Sequence, residues 1–200
     1  MKLYMKILVA TVVVSMLFST LSFESACSEL ENDIFRLHIL ANSDEEHDQN
    51  LKLYVRDTIL YSCSSLYDDV KTKDEAKAIT EKNLPLIIKT AEKAIAEKGY
   101  DYDVTATVTK SFFNTRYYEN FTMPAGVYDT LQINIGEGKG KNWWCVMYPT
   151  LCVGAATDSS MKEDLSDSEY DVIVAEDVEY KFKIVECFEK ISSFFSDVTH

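Results

Sequence analysis

The chain has 200 residues, a hydrophobic content of 46% and a formal net charge of −13. This length fits one domain with additional segments, and the hydrophobic content is sufficient to build a core. The acidic balance argues against nucleic-acid binding and against docking on anionic membrane surfaces, because both reward basic patches.

The first 26 residues predict an export signal. Lys2 and Lys6 precede an apolar run over residues 7–18, an arrangement and length typical of a signal peptide. The run is short for a membrane span, which needs about 20 apolar residues, although a few further residues would make it long enough. Cleavage, lipidation at Cys27 and retention as an N-terminal anchor all stay open, and a buried N-terminal helix is the alternative.

A strand over residues 34–41 and a helix running to about residue 66 are predicted next. The strand alternates two sets of side chains: Phe35, Leu37 and Ile39 against Arg36, His38 and Leu40. Ser43 or Asp44 is expected to cap the helix. The apolar residues of the helix form a stripe on one face: Leu51, Tyr54, Val55, Ile59, Cys63 and Leu66.

A second helix follows a capping box formed by Thr72 and Glu75. It is expected to run to Lys98, with Gly99 ending it. Pro85 lies inside this helix and is expected to kink or split it, because proline cannot donate the helical hydrogen bond.

Alternation with period two predicts strands at about 102–112 and 127–135, and a further strand at 143–148. Residues 136–140, Gly-Glu-Gly-Lys-Gly, lie between the last two strands, so a glycine-rich hairpin is predicted there. The last strand carries both tryptophans of the chain at adjacent positions, so their rings are expected on opposite faces of the sheet.

The glycine-rich loop does not fit the known phosphate-binding patterns. A P-loop requires G-x-x-x-x-G-K-[ST] before a helix, and Asn142 stands where the hydroxyl residue should follow Lys141. A dinucleotide-binding loop also opens a helix, whereas Trp-Trp-Cys-Val follows here. Neither a cofactor nor a metal is expected.

The polar residues near the N-terminus lack the spacing of a known site. His38 and His47 show no H-x-x-x-H or H-E-x-x-H pattern, so we interpret them as a histidine at a strand edge and a residue on a solvated helix face. Arg56 and Asp57 are adjacent and are not expected to face each other on a helix.

Two cysteines are placed for a disulfide, which an exported protein would keep. Cys145 and Cys152 lie close in sequence, with Pro149 bending the chain between them. A disulfide closing this loop would stabilise the fold by about 2.5 kcal/mol. Three further cysteines have no evident partner: Cys27, Cys63 and Cys187.

The fold class indicated is α+β, in one domain. The element order β-α-α-β-β-β favours a largely antiparallel sheet of about four strands with two long helices on one face. The predicted boundaries are a signal peptide or N-terminal anchor at 1–26, a domain at 33–153, and an acidic tail at 154–200. The tail is interpreted as a polar linker followed by an amphipathic C-terminal helix from Glu176, which packs on the core or holds a partner.

Three stretches together resemble the stage II sporulation protein R family of endospore-forming bacteria. They are Phe35–Asp44 (FRLHILANSD), Gln49–Asp57 (QNLKLYVRD), and Pro124–Tyr128 with Ile135–Cys152 (IGEGKGKNWWCVMYPTLC). The resemblance covers roughly residues 33–153, and its last motif is long and chemically unusual.

The resemblance implies a signalling protein and not an enzyme. In that family the protein is made in the forespore and exported into the space between the two membranes. There it activates a membrane-embedded aspartic protease of the mother cell, the stage II sporulation protein GA, which cleaves pro-sigma-E.

The resemblance does not imply which residues contact the protease, so physical grounds indicate the candidates. Aromatic anchors on a rigid strand beside a glycine loop are typical of a binding surface. The candidates are Trp143, Trp144, Gly136, Glu137, Gly138 and Asn142, with Arg36 and Arg56 as secondary ones. Two alternatives stay open: an exported thiol hydrolase acting on the cell wall, with Cys145 as nucleophile beside His38 or His47, and a structural wall component.

Overall fold

The structure, a computed structural model, describes residues 4–7, 11, 25–118, 121–149 and 165–174. In chain order the elements are α1 (residues 25–33), β1 (Phe35–Leu40), α2 (Glu46–Cys63), a 3₁₀ turn (Ser64–Leu66), α3 (Lys73–Glu97), β2 (Val104–Phe113), β3 (Arg116–Tyr117), β4 (Thr122–Met123), β5 (Gly126–Ile135), β6 (Asn142–Tyr148) and α4 (Asp167–Val174). The predicted α+β class and element order are confirmed. The short strands β3 and β4 are additional.

The chain divides into two compact units. The sheet unit comprises Asn32–Ser111 and Val127–Asp164, and the hairpin unit comprises Met1–Glu31, Phe112–Gly126 and Leu165–His200. In the hairpin unit β3 pairs with β4 in antiparallel orientation, and α4 packs against β4.

The sheet has the strand order β2-β5-β1-β6. β1 is parallel to β5 and antiparallel to β6. The backbone N–H of Gly136 donates to the carbonyl of Asp103 over 2.8 Å, so the end of β5 lies beside the beginning of β2, as in an antiparallel pair. The predicted hairpin is therefore wrong. β5 and β6 are not neighbours, because β1 lies between them and the glycine-rich segment passes over the end of β1.

Helices α2 and α3 pack on one face of the sheet and form the main core with it. The strands contribute Phe35, Leu37, Ile39, Leu131, Ile133, Ile135, Cys145 and Met147. The helices contribute Leu51, Val55, Ile59, Cys63, Ala76, Ile87, Ala91, Ala94 and Ile95. The predicted apolar stripe of α2 is thus confirmed as its core face.

Both faces of β1 are buried. Phe35, Leu37 and Ile39 are fully buried on the helix side, and Arg36 and His38 are buried on the other side. The interpretation of His38 as a strand-edge residue is wrong, because hydrogen-bonded strands flank β1 on both sides.

The helix ends differ in how well local pattern predicted them. Thr72 caps α3 by accepting from the backbone N–H of Glu75, as predicted, and Gly99 follows with φ +81°. The predicted cap of α2 is wrong, since its N-cap is Glu45 and makes no side-chain cap bond. Pro85 lies within one continuous helix, so it does not split α3, whose buried residues on both sides of it outweigh the lost hydrogen bond.

A buried carboxylate ties α3 to the sheet. Asp129 of β5 accepts a hydrogen bond from Lys77 Nζ over 2.8 Å and pairs with Lys73 Nζ over 2.9 Å. Burial raises the pKa of Asp129, but the hydrogen bonds and charges of the two lysines outweigh it and hold that pKa below its ordinary value.

The lowered pKa of Asp129 makes part of the stability pH-dependent. Its contribution is present in full above the unfolded-state pKa of about 3.9, and is lost as the pH falls through the lower folded-state pKa. We expect Asp129→Asn to be less stable than wild type at pH 7, with the difference shrinking as the pH is lowered. Urea unfolding of both proteins between pH 7 and pH 3 measures this, and a constant difference would contradict it.

Several predictions concern residues outside the described ranges. These include most of the proposed export segment at 1–26 and the amphipathic helix from Glu176. The described part of the tail contains α4, which begins within the stretch interpreted as a linker. Among the residues described, no helix is both long and apolar enough to cross a membrane.

Candidate functional site

The segment between β5 and β6 lies against the segment between β1 and α2. We call these the glycine loop (Gly136–Lys141) and the Asn-Ser-Asp loop (Asn42–Asp44). Four backbone N–H groups of the glycine loop donate to this part of the chain: Gly140 to the carbonyl of Ala41 (2.9 Å), Lys139 to the carbonyl of Asn42 (3.3 Å), Glu137 to Oδ1 of Asn42 (3.0 Å) and Lys141 to Oδ1 of Asp44 (2.7 Å).

Two glycines of the loop are required by this close approach. Gly136 has φ +57°, and a Cβ added there would overlap the side-chain oxygen of Asn42. A Cβ added at Gly140 would overlap the backbone carbonyl of Ser43. The glycines therefore allow two backbones to meet, and the loop uses its N–H groups to bind its own chain.

The surroundings of the glycine loop also disfavour phosphate. An open depression of about 670 Å³ beside the loop is lined by Asn42, Asp101, Tyr102, Asp103, Gly136 and Glu137. Three of these residues are carboxylates, which would repel a phosphate group.

Asp48, in the first turn of α2, anchors the Asn-Ser-Asp loop. Its buried carboxylate accepts hydrogen bonds from Asn42 Nδ2 over 2.8 Å and from Ser43 Oγ over 2.6 Å. Burial raises the pKa of Asp48, but hydrogen bonds from Ser43, Asn42 and Tyr102 outweigh that effect and lower the pKa. Ser43 thus orients a buried acid instead of capping α2.

Lys52 supports the glycine loop one turn further along α2. Its buried Nζ donates to Gln49 Oε1 over 2.7 Å and to the carbonyl of Lys141 over 2.8 Å. Burial lowers the pKa of this ammonium group. Sequence reasoning missed both Asp48 and Lys52, although both are charged residues at helical spacing beside the apolar stripe of α2.

Trp143 and Trp144 lie on opposite faces of β6, as predicted. The ring of Trp144 stacks on His38 with centroids 3.8 Å apart and planes 14° apart, and His38 Nε2 is 2.6 Å from Asn142 Oδ1. Trp143 packs against the helix-side core, with the guanidinium carbon of Arg56 4.2 Å from its ring centroid. Both rings are half-buried.

The two arginines of the candidate set lie in different environments. Arg56 on α2 pairs with Asp57 over 2.6 Å, so the expectation that these neighbours do not face each other is wrong. Arg36 is fully buried, with its guanidinium carbon 4.9 Å from the ring centroid of Tyr128. Because it is fully buried, Arg36 presents no side-chain atom at the surface for a partner to contact.

The other candidates gather at one end of the sheet, where β1 and β5 end and β6 begins. Glu137 and Asn142 are exposed there, and Glu137 pairs with the exposed Lys139 over 2.8 Å. This surface combines half-exposed tryptophans with a loop that is held by backbone hydrogen bonds, which is the composition expected of a protein-binding surface. Whether these residues contact a partner stays a prediction.

Cys145 and His38 do not form the thiol and histidine pair of the hydrolase alternative. The free thiols among the described residues are Cys27 and Cys63, and Cys145 is not one of them. Cys145 lies in the helix-side core, whereas the ring of His38 lies on the opposite face of the sheet. Its predicted disulfide partner, Cys152, lies outside the described residues, so that pairing stays a prediction.

The described residues also contain no group of three or more His, Cys, Asp or Glu side chains arranged to hold a metal ion. His47 lies apart from His38, with its ring 5.8 Å from that of Tyr100 and its Nε2 3.3 Å from Asp48 Oδ1.

Comparison with known proteins identifies relatives of this chain. The family model described as stage II sporulation protein R matches residues 31–158, which include both loops and both tryptophans. The stage II sporulation protein R of Bacillus subtilis (strain 168) is 32% identical over 140 residues, which cover 70% of this chain and 62% of that protein. The chain therefore spans less than two thirds of that relative. No solved structure matches it.

Proposed function

The chain belongs to the stage II sporulation protein R family, a family of sporulation proteins, and on this basis we propose that it is a secreted signal of endospore formation. It is exported from the forespore by residues 1–26 and activates the membrane-embedded aspartic protease of the mother cell, the stage II sporulation protein GA. That protease then processes pro-sigma-E. The family match over residues 31–158 is the observation that carries this proposal.

The activator binds the active state of the protease more tightly than the inactive state, because only a difference in affinity shifts an equilibrium. Changing a protease from about 1% to about 99% active requires a preference of about 10⁴-fold. Stabilising a dimer of two protease chains is one way to produce such a preference.

The contact surface is the end of the sheet that carries the glycine loop and Trp144. Four backbone hydrogen bonds, together with the side chains of Asp48 and Lys52, hold this loop in one conformation. A preorganised loop loses little conformational entropy on binding. The half-exposed ring of Trp144 is its aromatic anchor.

Reconstitution tests the proposed function. The chain is co-expressed with the membrane protease and pro-sigma-E in a host that does not sporulate, and processing of pro-sigma-E is measured. We expect processing only when this chain is present. If the chain is exported and folded but no processing occurs, the proposed function is wrong.

In the same system, Trp144→Ala should lower processing by about tenfold or more, as removal of a binding anchor does. Tyr61→Ala is the matched control, because Tyr61 is 86% exposed near the other end of α2. Secreted levels of both variants are measured in parallel. Full processing by Trp144→Ala at normal levels would show that this ring is not an anchor.

A further inference from the structure

The outer edge of β2 is a second candidate binding surface, because, within the part of the chain that the structure describes, its backbone is free to pair with another strand. β2 is ten residues long and is the last strand of the sheet on that side, as far as the described residues show. It contains no proline, and its first charged residue is Lys110. Natural edge strands are usually protected by charges or prolines along their length, because an unprotected edge pairs with another strand.

Two contacts show which groups of β2 point outward. The carbonyl of Asp103 accepts from Gly136 N–H, and Asn134 Nδ2 donates to Thr105 Oγ1 over 3.2 Å. In an antiparallel ladder the odd-numbered residues of β2 therefore bond to β5, and the N–H and C=O groups of the even-numbered residues point to the free edge. Over residues 104–110 the outward-pointing residues are Val104, Ala106, Val108 and Lys110.

The side chains of β2 are self-complementary about its centre. Thr105, Thr107 and Thr109 are exposed on the face away from the helices, while Val104 and Ala106 are buried on the helix side. If two copies align antiparallel with Thr107 opposite Thr107, then Thr105 of each copy lies opposite Thr109 of the other. Every exposed threonine then faces a threonine, a favourable cross-strand pair.

We propose that two copies of the chain pair through β2, antiparallel about a two-fold axis at Thr107, and form one continuous eight-stranded sheet. In this register Val104 pairs with Lys110 of the second copy and Ala106 with Val108, so the outward backbone groups of both strands are satisfied. A strand-addition site of this kind is a known mode of protein association.

The self-complementary threonine register is the reason for assigning this edge to a second copy, and the edge lacks the acidic charge found elsewhere on the chain. The chain carries a net charge of −13, so two copies repel each other over most of their surface. From Val104 to Ser111 the strand has no acidic residue, and no like charges are opposed in the proposed register. A seven-residue strand pair buries less than the roughly 800 Å² per partner of a typical stable interface, so we expect a weak dimer.

Cysteine cross-linking of the full chain tests the register. Thr107 is at a non-hydrogen-bonded pair, where opposite Cα atoms are about 4.5 Å apart, within the range that a disulfide spans. Thr107→Cys should therefore form a disulfide-linked dimer under mild oxidation at least about ten times faster than Thr105→Cys. The Thr105 position is the matched control, since the two copies of residue 105 would lie about 14 Å apart along the strands.

A charge variant tests the same axis without cysteine chemistry. Thr107→Lys places two like charges opposite each other and should abolish concentration-dependent dimerisation in sedimentation, whereas Thr105→Lys should preserve it. Equal cross-linking at the two positions, no cross-linking at either, or a dimer unaffected by Thr107→Lys would each overturn the proposal. If β2 instead binds a strand from another protein, neither cysteine variant should cross-link.

Discussion

Replacing Gly140 with alanine should lower the free energy of unfolding by about 3 kcal/mol, because the added methyl group has no space. The Cβ would overlap the backbone carbonyl of Ser43 and lie 2.9 Å from Cβ of Ala41. Neither neighbour can move easily, since one is backbone and the other is a fully buried residue directly after β1. Moving the glycine loop away would instead break its hydrogen bond to Ala41.

Gly99→Ala is the control for this variant. Gly99 has φ +81° but nothing lies within 4 Å of an added Cβ, so only backbone strain is introduced, at a cost of about 1 kcal/mol. Urea unfolding followed by tryptophan fluorescence measures both variants. If Gly140→Ala were no more destabilising than Gly99→Ala, the contact between the two loops would not be as close as described.

Replacing Asp48 with alanine should lower the free energy of unfolding by about 3 kcal/mol at pH 7. Asn42 Nδ2 and Ser43 Oγ would both lose their charged acceptor, and hydrogen bonds to charged groups contribute about 1.5–3 kcal/mol each. The loss should be smaller in acid. The folded-state pKa of Asp48 is lowered, so its stabilisation disappears in the wild type as the pH falls through that value.

Asp44→Ala is the matched control for Asp48→Ala. Asp44 is an exposed carboxylate in the same loop that accepts one backbone hydrogen bond, from Lys141, so its removal should cost about 1 kcal/mol or less. Asp48→Asn keeps the shape and one acceptor and should lie between the two. Equal losses for the Asp44 and Asp48 variants would contradict the anchoring role of Asp48.

The two destabilising variants, at Gly140 and Asp48, also test the proposed activity. If the glycine loop must be held rigid to bind the protease, Gly140→Ala and Asp48→Ala should reduce processing of pro-sigma-E by more than their effect on secreted protein levels.

Local patterns were sufficient for most of the elements. The apolar stripe of α2, the capping box of α3 and the alternation of β2 and β5 each depend on residues that are close in sequence, so they were predicted with nearly correct ends. Pro85 shows the limit of local reasoning. A propensity cost of about 3 kcal/mol was outweighed by the packing of α3 on both sides of the proline.

The site was only partly predictable, because its contacts join residues that are distant in sequence. Glycine-rich composition and the adjacent tryptophans pointed to the correct stretch of chain. The partners of that stretch come from the Asn-Ser-Asp loop, more than 90 residues earlier, as in the bond from Glu137 N–H to Asn42 Oδ1. Asp48 resembled an acid in the first turn of a helix, and only the folded chain shows it buried beneath the loop.

The sequence by itself determined the α+β class, the helix and strand segments, the family resemblance and the opposite directions of Trp143 and Trp144. These follow from residue periodicity and from motif content. The tertiary structure decided the strand order, the burial of Arg36 and His38, and the role of the glycines. Insertion of β1 between β5 and β6 is a non-local pairing. It gives both edges of β1 a hydrogen-bonded neighbour and brings the chain after β1 to the N–H groups of the glycine loop.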